Sequence, residues 1–281
     1  MRKVLAAITG DSAAAAVLSS ADAIAELFSA TVEALHVGDE RAVVASSAAR
    51  KAGVALRTIA GEVVQEIVDA AAAEDVAAVV IGSRGRPADG RPVGSTALAL
   101  VASLEKPVAV IPPDAAPRKP IQSVLVPLDG TAASAAALAE IIELAAGAEL
   151  RVMIAHVHRA RSLPAFSDHL PHEVRAWSEE FMARHAPGAI DATLELRVGE
   201  PHEHVLDICR RSGCDLVALG WSQDLGRGRA AIVRRMLADS PVPVLLTPVS
   251  SDLASVYPAA RATGSAGRER LGQLDPIGAA Q

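Results

Sequence analysis

The sequence predicts an α/β protein made of two tandem doubly wound domains, each a parallel sheet flanked by helices. Two observations carry this: the chain repeats itself, and in each copy short apolar runs alternate with longer Ala-rich helical stretches. KVLAAITGDSAAAAVLSSADAIAELFSATVEALHV (residues 3–37) aligns with SVLVPLDGTAASAAALAEIIELAAGAELRVMIAHV (123–157), pairing Val4 with Val124, Gly10 with Gly130 and His36 with His156. The likeness resumes between residues 61–83 and 199–222, and again between KPVAVIP (106–112) and VPVLLTP (242–248). At 281 residues, each copy is long enough to bury its own core.

In chain order, VLAAI (4–8) reads as a strand, residues 12–29 as a helix and TVEALHV (31–37) as a second strand, which makes a βαβ unit. Glu62 and Glu200 open the third helix of each copy, where a carboxylate complements the helix dipole. AAVVI (77–81), VLVPL (124–128), DLVAL (215–219) and VPVLL (242–246) are apolar without alternation, as strands covered on both faces should be. PVAVI (107–111) and PVPVLLT (241–247) are the fifth strands, and PPDAAPRKP is a proline-rich linker between the copies. The expected organisation is a first domain over 1–113, a linker over 114–120, a second domain over 121–249 and a disordered tail over 250–281, where periodicity is lost.

Composition excludes several functions. A net charge of −6 and 2% aromatic residues supply neither the basic surface nor the stacking platforms of a nucleic-acid binder. No run approaches the roughly 20 apolar residues of a membrane span, and the N-terminal apolar stretch is too short for a secretory signal. The chain therefore reads as soluble and cytoplasmic. Cys209 and Cys214 are too few for a disulfide framework and read as buried filler, not a zinc site.

The chemistry-bearing stretch is GSRGRPADGRPVGST (82–96). It runs Gly82-x-x-Gly85, then eight residues, then Gly94-Ser95-Thr96 at a helix start. Glycines let backbone approach an anion, the helix start offers unpaired N–H groups, and two hydroxyls add donors. Arg84, Arg86 and Arg91 add positive charge or are simply solvated.

On these residues, together with the strand-ending P-V-x-V element at Pro107 to Val110, both copies resemble the universal stress protein family. The resemblance implies a strand order of 3-2-1-4-5 in each sheet, an ATP site at the ends of the first and fourth strands, and edge strands that join two domains. It places Thr9, Gly10, Val37, Gly82, Arg84, Gly85, Gly94, Ser95 and Thr96 around an adenine nucleotide, ATP with Mg2+, in the first copy. The departures are specific. Thr9 stands where the family has Asp, and the first-copy loop is one residue short. The second copy keeps Asp129, but Gln223 replaces the second glycine and Ala230 and Ala231 replace Gly and Ser. Asp129, Gly130, Val157, Gly220 and Trp221 therefore mark a degenerate second pocket, which Trp221 blocks or reshapes, unless it is a partly buried aromatic that covers the sheet end.

Other constellations are weaker. His156 and His158 share a strand face and His202 and His204 lie near a helix start, but no HExxH is present and a structural role is the simpler reading. GWSQD departs from the hydrolase elbow, no Gly-Lys pair signals a Walker loop, and no catalytic residue is assigned. Arg227, Arg229, Arg234 and Arg235 read as a solvated helix face, with a replacement anion site or a partner surface as the alternatives. The expected function is regulatory nucleotide binding in the first copy, with unidentified protein partners. The rival is a nucleotide-free scaffold in which both pockets have decayed, and slow ATP hydrolysis is a third reading. The fifth strands are edges that invite pairing, between the two copies of one chain or in a homodimer.

Overall fold

A computed structural model describes residues 1–83, 93–113, 120–158, 171–189, 191–224 and 230–249. The first copy runs β1 (Lys3–Ala7), α1 (Ala14–Leu27), β2 (Thr31–Val37), α2 (Ala42–Ala52), β3 (Ala55–Ile59), α3 (Val63–Ala71), β4 (Val76–Gly82), α4 (Ser95–Ser103) and β5 (Val108–Ile111). The second runs β6 (Ser123–Pro127), α5 (Ala132–Gly147), β7 (Arg151–His158), α6 (Pro171–His185), β8 (Thr193–Val198), α7 (Pro201–Ser212), β9 (Leu216–Trp221), α8 (Ala231–Asp239) and β10 (Val244–Pro248). The expected tail and most of the linker lie outside the described residues.

All strands join one sheet of ten, in the order β3-β2-β1-β4-β5-β10-β9-β6-β7-β8. Each half has the 3-2-1-4-5 order, so two five-stranded parallel sheets are present, but they are fused. The fusion is the antiparallel pair β5·β10, with Val110 opposite Val244, Ala109 opposite Leu245 and Val108 opposite Leu246. All six side chains are at most 1% exposed, so the seam is built like a core. Because the pair is antiparallel, the strands of the two halves run in opposite directions. The carboxyl ends of the two half-sheets therefore face opposite edges of the molecule.

The central strands bury both faces as their continuous apolar runs require; all of β6 and all of β4 up to Ile81 are buried. Covering helices form two layers. α1 and α5 lie on one face with Val17, Leu18, Leu138 and Ile142, while the other face holds Val205, Leu206, Met236 and Leu237 from α7 and α8. Alanine on α1 removes side-chain bulk on the packing face at little helix cost. The outer strands β3 and β8 are half-exposed, as edge strands permit.

Local capping follows the sequence closely in one copy and departs in the other. Glu62 caps α3, its Oε2 accepting from the Gln65 amide at 2.9 Å. Glu200 holds the same place before α7 without a side-chain cap. Both are preceded by glycines, Gly61 at φ 144° and Gly199 at φ 143°, a backbone setting that side-chain-bearing residues rarely adopt.

Candidate functional site

In a doubly wound sheet, ligands sit beyond the carboxyl ends of strands where connections diverge. In the first copy that edge holds those predicted residues that are described. β1 and β4 are adjacent and in register at Ala7 and Ile81, so Thr9, exposed, lies beside Gly82 and Ser83. The Gly94 amide donates to the Ser83 carbonyl at 2.8 Å, closing the base of the glycine segment. Gly94 is the N-cap of α4, whose first residues Ser95 and Thr96 are exposed. Val37, half-buried, ends β2 on the other side of β1. Arg84, Gly85, Arg86 and Arg91 lie outside the described residues.

Gly10 is buried, for a reason the sequence did not reveal. A Cβ there would collide with Arg41, whose carbonyl oxygen would be 2.5 Å away. The connection from β2 to α2 is only Gly38 to Arg41 and folds down over the end of β1, with Arg41 itself at φ 60°. His36 pins it: Nδ1 lies 3.0 Å from the Ile8 carbonyl and Nε2 3.0 Å from that of Glu40.

The corresponding edge of the second copy holds a cavity among the described residues. A cavity of about 560 Å³ lies at the carboxyl ends of β6, β7 and β9, lined among others by Asp129, His156, Val157, His202 and Gly220. Ser134, Pro201 and Ala231, from the first turns of α5, α7 and α8, also line it, so three helix N-termini face one space. Asp129 follows β6, and its Oδ1 accepts from the Thr131 amide at 2.9 Å and the Thr131 hydroxyl at 2.7 Å. Thr131 in turn caps α5 through Ser134 at 3.1 Å. Oδ2 takes no such bond among the described residues. Glu200, free of capping duty, also lines the cavity.

Trp221 is 4% exposed, packs in the core at the end of β9 and is not among the residues lining the cavity. Its indole nitrogen is buried without a hydrogen-bond partner among the described residues. Gln223 has a left-handed backbone, at φ 57°, and its side chain crosses to the first copy to donate to the Leu104 carbonyl at 2.6 Å. Gly130 is also left-handed, at φ 83°. Arg227 and Arg229 lie outside the described residues. Arg234 and Arg235 are exposed on α8, and Arg235 pairs with Asp239 at 2.8 Å.

A ring cluster beside Asp129 was missed. Trp177, Phe181 and His185 lie on one face of α6 at four-residue spacing, the only sequence signal available. His156 packs 4.7 Å from Phe181, His158 lies 4.7 Å from Trp177, and Phe181 lies 4.7 Å from His185. His156 is held at Nδ1 by the Leu128 carbonyl, 2.7 Å away, as His36 is held by Ile8. Among the described residues no three His, Cys, Asp or Glu side chains are grouped as a metal site requires.

Burial, with the nearby Arg184 and His156, holds the His185 imidazole below its ordinary value against an opposing pull from Asp129. A group depressed on folding is protonated more readily in the unfolded chain, so it contributes stability above the ordinary imidazole range that is lost as pH falls. The melting temperature is expected to drop between about pH 7.5 and about pH 5.5. His185→Gln should flatten part of that drop, and an unchanged profile in the variant would assign it elsewhere.

A model of the universal stress protein family matches residues 43–112 and 120–248. The chain belongs to the universal stress protein family. Among solved structures it is similar to a protein of unknown function from Pseudomonas aeruginosa PAO1, at 17% identity over 91% of this chain and 95% of that one, with a TM-score of 0.69. A putative universal stress protein from Pseudomonas aeruginosa UCBPP-PA14 gives 16% identity, 91% and 96% coverage and the same TM-score of 0.69. A universal stress protein from Archaeoglobus fulgidus DSM 4304 gives 16%, 88% and 98%, with a TM-score of 0.61. These likenesses concern the fold. A comparison with curated proteins returned no match. Within the universal stress protein match, the first copy is covered only from residue 43, after β2, so Thr9, Gly10 and Val37 fall outside it. Their counterparts Asp129, Gly130 and Val157 fall inside. Among the described residues no helix is long and apolar enough to cross a membrane.

Proposed function

We propose that this universal stress protein binds an adenine nucleotide, ATP with Mg2+ being the leading candidate, and that binding serves regulation, not turnover. The observation that carries the reading is the cavity of about 560 Å³ at the second copy's strand ends. Its size falls in the range of small-molecule sites, and three helix N-termini favour an anion there. Asp129 offers a carboxylate oxygen without a hydrogen bond among the described residues, and the family match covers this copy from β6 to β10. Trp221 leaves the space open.

A second reading places the nucleotide in the first copy. It is favoured by the Gly94 to Ser83 bond, which brings Gly82, Ser95 and Thr96 to one place beside Thr9. Arg41 packed against Gly10 weighs against it, because that contact covers the end of β1.

Titration of MgATP by calorimetry separates the readings. Asp129→Asn keeps the acceptor for Thr131 and removes the charge; it should weaken binding by about 10- to 100-fold while Gly85→Val leaves it near wild type. The reverse pattern assigns the first copy. Absence of binding in the wild type, with no nucleotide released on denaturation, supports the scaffold instead.

A further inference from the structure

The two cysteines, read from the sequence as inert filler, are placed for chemistry. Cys209 lies near the end of α7 and Cys214 just before β9, and their sulfurs are 3.4 Å apart. Between them α7 ends at Gly213, left-handed at φ 60°, which turns the chain back so that both side chains meet. Cys214 Sγ also approaches the Cys209 carbonyl, at 3.8 Å. Both are free thiols, buried in the layer between α7, α8 and the sheet.

We propose that Cys209 and Cys214 are an oxidisable pair that closes to an intramolecular disulfide under a peroxide. A disulfide needs its sulfurs at about 2.05 Å, so they must approach by roughly 1.3 Å from where they stand. The Gly213 joint and the last turn of α7 can absorb that movement. The Cys214 thiol donating to Cys209 Sγ holds the Cys209 thiol below its ordinary value, while Cys214, which keeps the shared proton and is buried, is pushed up. The roles follow: Cys209 supplies the attacking sulfur and Cys214 resolves.

The step balances. Cys209 thiolate attacks one oxygen of hydrogen peroxide, forming the sulfenic acid; the O–O bond breaks, and the leaving hydroxide takes a proton and becomes water. Cys214 sulfur then attacks the sulfenic sulfur. The S–S bond forms, the S–O bond breaks, and the hydroxyl leaves with the Cys214 proton as a second water. Two thiols are oxidised and one peroxide is reduced. At 1% and 4% exposure the thiols react as the end of α7 opens, so the reaction is slower than at a surface thiol. The proposal stands independently of nucleotide binding.

The test uses the full chain, reduced and then exposed to hydrogen peroxide, with the remaining thiols alkylated by N-ethylmaleimide after denaturation. Intact mass spectrometry should show both alkylation sites lost together and a mass lower by two hydrogens. Dithiothreitol should restore both, and peptide mapping should join Cys209 to Cys214. Cys214→Ser should stop at a sulfenic acid on Cys209 that dimedone traps. The proposal is overturned if both thiols remain alkylatable under conditions that oxidise a cysteine peptide. It is equally overturned if the thiols pass to sulfinic acid, or link separate chains, without the internal bond.

Discussion

Ala109→Asp is expected to destabilise the whole chain, not one half of it. Ala109 sits opposite Leu245 in the pair that fuses the two half-sheets, and both side chains are 0% exposed. A carboxylate there has no partner and no water, and burying an unpaired charge is among the few single changes that cost about 4 kcal/mol or more. Against a typical total of roughly 5–15 kcal/mol, that loss is a large share of stability. Urea unfolding followed by circular dichroism should show one transition in the wild type and a strongly lowered midpoint in the variant. Val43→Asp, at a site 83% exposed on α2, should change stability by no more than about 0.5 kcal/mol. A variant at Ala109 that unfolds like wild type would show that the copies do not share this seam.

The second large effect concerns the foot of the second half-sheet. Asp215 Oδ2 accepts from the Gln122 amide at 3.1 Å, the Ser123 amide at 3.0 Å and the Ser123 hydroxyl at 2.9 Å. The Asp215 amide donates back to the Ser123 carbonyl at 3.0 Å. One carboxylate thus sets β6 against β9 and fixes the register from which Asp129 and Gly220 reach the cavity. Hydrogen bonds to a charged acceptor contribute about 1.5–3 kcal/mol each, and part of that is recovered by water at the exposed end, so Asp215→Ala should cost about 3 kcal/mol. Asp215→Asn should recover a portion. A loss below about 1 kcal/mol would mean that strand pairing alone holds the register.

Much of the architecture was legible because duplication doubles every signal. Val4 and Val124, or Pro107 and Pro243, support each other's assignment, and uninterrupted apolar runs leave few alternatives to buried parallel strands. The pairing of the fifth strands within one chain was expected from the family resemblance and from edges that invite pairing, with a homodimer as the alternative, and the structure has the two copies paired. The candidate site was less legible because it depends on what differs between the copies. Arg41 seals Gly10 only because the first connection from β2 is short, and length alone does not say where a loop folds. The rings of Trp177, Phe181 and His185 stand on α6, after a connection without counterpart in the first copy, where alignment by repeat has nothing to offer. Gln223 reads as a lost glycine, yet its backbone is left-handed and its side chain is a tie between halves.

The β5·β10 pair has one further implication. Val108 faces the counterpart of Val110, and Val110 faces the counterpart of Val108, so the two copies are related by a pseudo-dyad passing between Ala109 and Leu245. In an assembly of identical chains the residue on such an axis meets its own image and must be compatible with itself. Covalent duplication lifts that restriction. Here a small side chain meets a large one at the axis, a match that neither an Ala–Ala nor a Leu–Leu homodimer could make, and the same release from symmetry let the two ends of the molecule evolve apart.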